Sequence, residues 1–168
     1  MKIVIKSGHV VACHPDQQNL SFVSDYCGCL VLTVPDGTPV EIGQVWEVSL
    51  EQAVAARISE ATAVCDSVLA PLGVEYGRWE TETWDQQYAE AVALMADPAA
   101  SVPLIAALAQ ARGMDVGVLA QRIIRNRETW SVLTGNVIGQ RLAIVDKINA
   151  ATTVEEVMAV DISISLPG

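Results

Sequence analysis

TWSVLTGNVIGQRLAIVDKINAATTVEEVMAV, residues 129–160, reads either as a phosphate-binding loop or as a packed helix, and the fold depends on which. A phosphate loop follows a strand and carries G-x-x-x-x-G-K-[ST], so that backbone N–H groups cradle the phosphates and the lysine neutralises them. Here Gly135 and Gly139 are one residue too close, and Gln140 and Arg141 follow in place of lysine and hydroxyl. Leu133, Val137, Ile138, Leu142, Val145 and Ile148 recur at three- and four-residue steps, the period of a helix buried on one side. The stretch is therefore read as helix. A glycine in a helix interior costs about 1 kcal/mol relative to alanine. Two glycines four apart share one face, so the expected compensation is a neighbouring helix or partner approaching closely at Gly135 and Gly139.

The same period extends N-terminally through Trp130, Ile123 and Leu119 to Asp115, which predicts one long helix over 116–149. Thr153 and Glu156 form a capping box that opens a further short helix over 154–160. Ser49 and Gln52 form another, ahead of a helix that Pro71 and Gly73 end; Val54, Ile58, Ala61, Cys65, Val68 and Leu69 lie near one stripe of it. Thr83 and Gln86 suggest the start of a helix carrying Trp84 and Tyr88 and stopped at Asp97-Pro98. Ser101 is placed to cap VPLIAALAQAR, which Gly113 terminates. Acids dominate residues 75–97 and bases residues 112–147, which favours antiparallel pairing of those two helices.

Before Ser49 the pattern changes to short strands. KIVI (2–5) and HVVAC (9–13) flank a turn at Lys6-Ser7-Gly8. LSFV (20–23), CLVLTV (29–34) and PVEIGQVWEV (39–48) are further strand candidates, with Pro35-Asp36-Gly37 as a turn. DISISLPG (161–168) alternates apolar and polar residues, as a strand docked on that sheet or a free tail would. The expected fold is α+β. A small antiparallel β module spans 1–48, a connecting helix and linker 49–77, a helical module 78–160, and a strand-like or flexible tail 161–168.

The 168 residues carry a formal net charge of −10. A nucleic-acid backbone or an anionic membrane would be repelled by most of such a surface. No apolar run is long enough for a membrane span, and MKIVIKSGHV has no signal-peptide cleavage pattern, so the cytoplasm is the expected compartment. Cys13, His14, Cys27 and Cys29 hold zinc-type ligand chemistry. Neighbouring strand residues point to opposite faces, however, and the usual C-x-x-C knuckle is missing. The simpler reading is reduced thiols, with no metal or other cofactor and His14 in a loop. No G-x-S-x-G elbow accompanies the two histidines, His9 and His14, and no catalytic residue is assigned. Arg122, Arg125 and Arg127 form a basic patch able to grip an acidic partner or a terminal carboxylate, though such a run is more often a solvated face or pairs with the chain's own acidic helix. Trp84 and Trp130 fall on apolar stripes and are read as core, whereas Trp46 and Trp79 sit at module edges, where exposure would make them binding anchors.

Residues 82–160 resemble a helical module of bacteriophage and prophage tail-fibre and tail-fibre-assembly proteins. The likeness is carried by Trp84, PLIAALAQARG (103–113), IGQR (138–141) and ATTVEEV (151–157). VVACHPD (10–16) and VPDGTPVEIGQVW (34–46) look like the β modules that open such proteins. The resemblance implies a non-enzymatic protein that helps fibre subunits assemble, in a chaperone-like way, or is itself a minor tail component. Its partners would be a tail fibre or another tail protein, or a second copy of the chain, in the host cytoplasm or in the virion. The alternative from a different class is a small metal- or thiol-dependent protein using Cys13, His14, Cys27 and Cys29.

Overall fold

The computed structural model describes residues 1–15 and 29–167, and among them the chain is α+β. Cys27 and the strand expected over 20–23 lie outside the described residues. Strands β1 (Lys2–Lys6), β2 (His9–His14) and β3 (Leu30–Thr33) form an antiparallel sheet in the order β2-β1-β3. β1 is central and buried on both faces, which is why it reads as the unbroken apolar run Ile3-Val4-Ile5. Ser7 (φ 50°) and Gly8 (φ 77°) both take positive φ, as a two-residue primed hairpin turn requires. Gly37 (φ 83°) serves the turn closed by Thr38 N–H donating to Pro35 O.

The returning strand expected over 39–48 does not form. Gly43 (φ 91°) breaks the segment, and only the isolated bridge His9↔Val45 pairs it with the edge of β2. Hydrogen bonds from Val10 N to Gln44 O, Gly43 N to Val10 O and Trp46 N to Gly8 O still cover that edge, so it presents fewer unpaired groups.

Five helices follow: α1 (Leu50–Leu69), α2 (Arg78–Ala96), α3 (Pro103–Ala111), α4 (Val116–Ala150) and α5 (Val154–Ala159), with a 3-10 turn at Ala70–Gly73 after α1. The capping box at Ser49 is present, Ser49 N donating to Gln52 Oε1 and Gln52 N to Ser49 Oγ. So is the one at Thr153 and Glu156. Asp115 Oδ1 accepts from Val118 N and opens α4. α2 begins five residues before the Thr83 signal: Gly77 is its N-cap, and Thr83 lies inside the helix with its hydroxyl donating to Glu80 O. Ser101 does not cap α3. Glu90 on α2 does so instead, its Oε2 accepting from Leu104 N and Ile105 N, which joins the two helices at that point. α3 ends in a Schellman motif, with Gly113 (φ 62°) donating to Gln110 O and Met114 to Ala109 O.

The chain forms two compact units whose boundaries differ from the expected modules. Unit one combines Met1–Val68 with Val137–Ser165, and unit two combines Leu69–Asn136 with Leu166–Gly168. α1 is thus no connector: its Ala56, together with Met158 of α5, packs on the sheet face carrying Ile3, Ile5, Leu30 and Leu32. A second cluster in unit one joins Ala53 and Ala61 of α1 to Ile144 and Ile148 of α4 and Val157 of α5. Ile162 and Ile164 pack on this cluster, so the C-terminal segment is neither a sheet strand nor a free tail. Gln140 fastens it, its side chain donating to Ser165 O (2.8 Å) and accepting from Ser165 N (3.1 Å). The core of unit two is Ala91, Ile105, Ala109, Leu119 and Ala120, contributed by α2, α3 and α4.

Glu156 has a measurable signature. Its Oε2 accepts from the backbone N–H and the hydroxyl of Thr152, and from Thr153 N. The backbone bond from Thr152, then the hydroxyl bond, hold its carboxyl below the usual carboxylate range. A carboxyl whose pKa is depressed by folding contributes stability that is fully present above its ordinary pKa and is lost as pH falls through the lowered value. Acid unfolding followed by circular dichroism is therefore expected to be less steep below about pH 4.5 in Glu156→Gln than in the wild type. Superimposable acid limbs would show that the contacts do not carry stability.

Candidate protein-binding groove

In unit two, α2, α3 and α4 do not close completely over their small core. Between them lies a cavity of about 770 Å³. Leu104 and Leu108 of α3, with Leu119 and Ile123 of α4, supply aliphatic lining. α2 contributes Trp79, Thr83, Trp84, Gln87 and Tyr88, which follow one another at steps of one, three and four along one helical face. α4 contributes Ile123, Arg127 and Trp130 in the same way, with Arg122 and Asn126 beside them. Such large side chains hold two helices apart and leave a concave surface, whereas Ala91 and Ala120 let them meet further along.

The aromatic rings form a chain. Tyr76 meets Trp84 edge to face with centroids 5.0 Å apart, and Trp84 meets Trp130 at 6.1 Å. The Arg127 guanidinium lies 5.9 Å from the centre of the Tyr88 ring and donates to Asp85 Oδ1 at 2.8 Å. As residue numbers rise on α2 from Trp84 to Ala91, their partners on α4 fall from Trp130 to Leu119, so the two helices run antiparallel. The Asp85–Arg127 pair joins the acidic helix to the basic one, but Asp85 is 85% exposed and such a pair contributes about 0–1 kcal/mol. Its effect is to orient the guanidinium. Arg112 and Arg122 also line the groove, are exposed, and make no side-chain hydrogen bond or ion pair with the described residues.

Several residues lie elsewhere than the sequence suggested. Trp84 and Trp130 are half-buried groove walls rather than core, because the helices that carry them are splayed. Trp79 is 77% exposed at the lip, with Arg78 over its ring at 5.6 Å, and is available as an anchor. Trp46 packs half-buried on the sheet cluster of unit one and is not. Arg125 is exposed and does not line the groove. Sequence reading assigns Arg112, Tyr88 and Asn126 no site role; the shared helical face of Leu119, Ile123, Arg127 and Trp130 is the signal for that side of α4.

Gly135 and Gly139 are exposed, and a Cβ added at either would meet nothing within 4 Å. Among the described residues no other helix therefore approaches closely at these positions. They share an open face of α4 with Val132, Ile138 and Leu142, the last two assigned to the buried stripe by period alone. The stripe that is buried runs through Val137, Ile144 and Ile148. With no contact to offset the helix-interior cost of glycine, Gly135→Ala and Gly139→Ala are each expected to stabilise by about 1 kcal/mol. A lower urea midpoint for either would mean that the glycine conformation is needed.

The cysteine cluster does not assemble as drawn from the sequence. Cys13 pairs with Ile3 on one side of β1, while Cys29 precedes β3 on the other side. Two strand spacings alone separate them by about 10 Å, too far for two thiolates on one zinc. His14 is the last residue of β2, not a loop residue. Among the described residues, no three His, Cys, Asp or Glu side chains gather as a metal site would need. Cys65 is buried in α1; burial pushes its thiol up, Arg141 opposes this and Asp66 adds to it, so the nucleophilic thiolate is disfavoured. No helix among the described residues is long and apolar enough to cross a membrane.

Residues 125–162 match the family described as the HI1402 helical domain, a match that takes in most of α4 and all of α5. No curated protein and no solved structure matches the chain.

Proposed function

We propose that this protein acts by binding another protein, as an assembly helper or minor structural component of a phage tail fibre, without a catalytic step. The observation that supports binding is the groove: exposed Trp79 and half-buried Trp84, Tyr88 and Trp130 surround an open apolar concavity that Arg112, Arg122 and Arg127 also line. Large aromatic rings lose few rotatable bonds on contact and bury much area, which makes them effective anchors. The phage-tail assignment is supported by the resemblance carried by Trp84, PLIAALAQARG, IGQR and ATTVEEV. In such a role the groove covers an apolar fibre segment until subunits trimerise, while the net charge of −10 keeps the complex dispersed. The compartment is then the host cytoplasm, with or without a place in the finished virion.

The test is to co-express the whole chain with the tail-fibre protein of the same prophage, and to analyse both the lysate complex and purified particles by mass spectrometry. Recovery with the fibre in lysate but not in particles supports an assembly helper, and recovery in particles a tail component. Absence from both the fibre complex and the particles rejects the reading.

A further inference from the structure

We propose that the groove takes an acidic amphipathic segment of the partner, one that sets carboxylates beside a stripe of aliphatic or aromatic side chains. This rests on the reading above that the partner is a protein, and adds the chemistry of the piece that is bound. The argument is one of charge complementarity over the distance that matters. The chain is strongly acidic, yet Arg112, Arg122 and Arg127 line this one concavity, with Glu80 the one carboxylate residue among the described residues that line it. At physiological salt, exposed charges further away than about 8 Å are largely screened, so the groove's own charges, three arginines against Glu80 and the Asp85 paired with Arg127, set the local field rather than the net charge of the chain. Arg127 is already oriented by Asp85 and Tyr88. Among the described residues Arg112 and Arg122 have no side-chain partner, and an incoming carboxylate would find their forks of donors available.

The apolar part of the site fixes the rest of the ligand. From Leu119 to Trp130 the α4 wall extends for about 17 Å at 1.5 Å per residue, about three helical turns. A small anion would leave most of this surface wet, whereas one face of a three-turn helix would cover it. A nucleic-acid strand could stack on the rings. Its regular phosphates would also run along the acidic side of α2, which carries Glu82, Asp85 and Glu90, whereas a segment with two or three carboxylates need not.

The test uses the whole chain and three synthetic helix-forming peptides of about 14 residues, identical in their leucine stripe and carrying Glu, Gln or Lys at the flanking positions. Binding is read from quenching of the groove tryptophans and by titration calorimetry. The Glu peptide is expected to bind about tenfold more tightly than the Gln peptide, and the Lys peptide weakest. In the double variant Arg112→Gln/Arg122→Gln, with far-UV circular dichroism unchanged, the preference for Glu over Gln is expected to fall to near unity. Arg125→Gln, outside the groove, should keep it. Trp84→Ala should weaken all three peptides by a similar factor. Equal binding of the Glu and Gln peptides overturns the inference. So does displacement of the Glu peptide by oligo-dT, or a dimer in sedimentation that Arg112→Gln/Arg122→Gln dissolves. If the charge preference is found but no fibre protein is recovered with the chain, the ligand chemistry stands and the tail-assembly reading falls. If fibre recovery is unaffected by Arg112→Gln/Arg122→Gln and the peptides show no preference, the groove chemistry falls and the tail reading stands.

Discussion

Arg57→Ala is expected to lower stability by about 2–3 kcal/mol, the range for removing a half-buried charged group together with its hydrogen bonds. Arg57 and Glu60, one helical turn apart on α1, have side chains only 12% and 14% exposed and are joined at 2.6 Å. The same guanidinium reaches across unit one to the end of α5, where Nη2 donates to Val160 O at 2.5 Å and to Met158 O at 3.4 Å. Removing it would leave Glu60 unpaired in a poorly hydrated place and return carbonyls at the end of α5 to an unsatisfied state. Met158 and Val157 of α5 belong to the two apolar clusters of this unit, so the loss would reach both. The side chain is not ideally satisfied, since its Nε is buried without a partner. Replacing both members by apolar residues, Arg57→Met with Glu60→Leu, is accordingly expected to recover most of what Arg57→Ala loses. Urea unfolding followed by circular dichroism measures both. A loss below about 1 kcal/mol for Arg57→Ala would reduce the arginine to a surface contact.

Ile105→Ala should cost about 3–4 kcal/mol, as a fully buried isoleucine truncated in the core of unit two. Ile105 is 0% exposed and sits among Ala91, Ala109, Leu119 and Ala120. Three of the four other buried residues of its cluster are alanines, which have no side chain able to swing into the space left, and the larger Leu94, Leu108, Met114, Ile123 and Ile124 pack around them only partly buried. Its amide is also one of the two held by Glu90, so α3 is positioned through its backbone and its side chain at one residue. Ile105→Val should cost about 1 kcal/mol, the loss of one methyl group. Trp84 and Trp130 provide the readout, because they lie in the same unit and their fluorescence reports on α2 and α4. An Ile105→Ala protein with an unchanged urea midpoint would mean that the groove helices are held by something other than this core.

The local chemistry was legible. Ser49 with Gln52, Thr153 with Glu156, Asp115 before α4, Gly113 after α3, and the Ser7-Gly8 turn each act within a few residues of themselves, and all are found where they were read. Thr83 shows the limit, because a hydroxyl followed three residues later by an amide also occurs inside a helix that Gly77 has already opened. Ser101 shows it again: the donors at the start of α3 are satisfied by Glu90, more than ten residues away in sequence, and no local signal announces that.

The groove was half legible. The apolar period of α4 placed Leu119, Ile123 and Trp130 on one side, and the charge pattern of α2 and α4 correctly suggested that they run antiparallel. Period alone does not say whether an apolar stripe is covered, so it places Trp84 and Trp130 in a core and Gly135 and Gly139 at a contact, where the structure has groove walls and an open face. By itself the sequence determined the α+β class, most helix boundaries and the acidic character, because capping, turn conformation and net charge are properties of near neighbours or of simple sums. Only the tertiary structure decided that α4 serves two units, that α1 belongs to the sheet, and that three arginines and a chain of aromatic rings share one concavity. Those outcomes depend on the sizes of side chains that meet across the fold, alanine against alanine in one place and tryptophan against tryptophan in another. Meetings between distant residues leave no periodic mark on the chain.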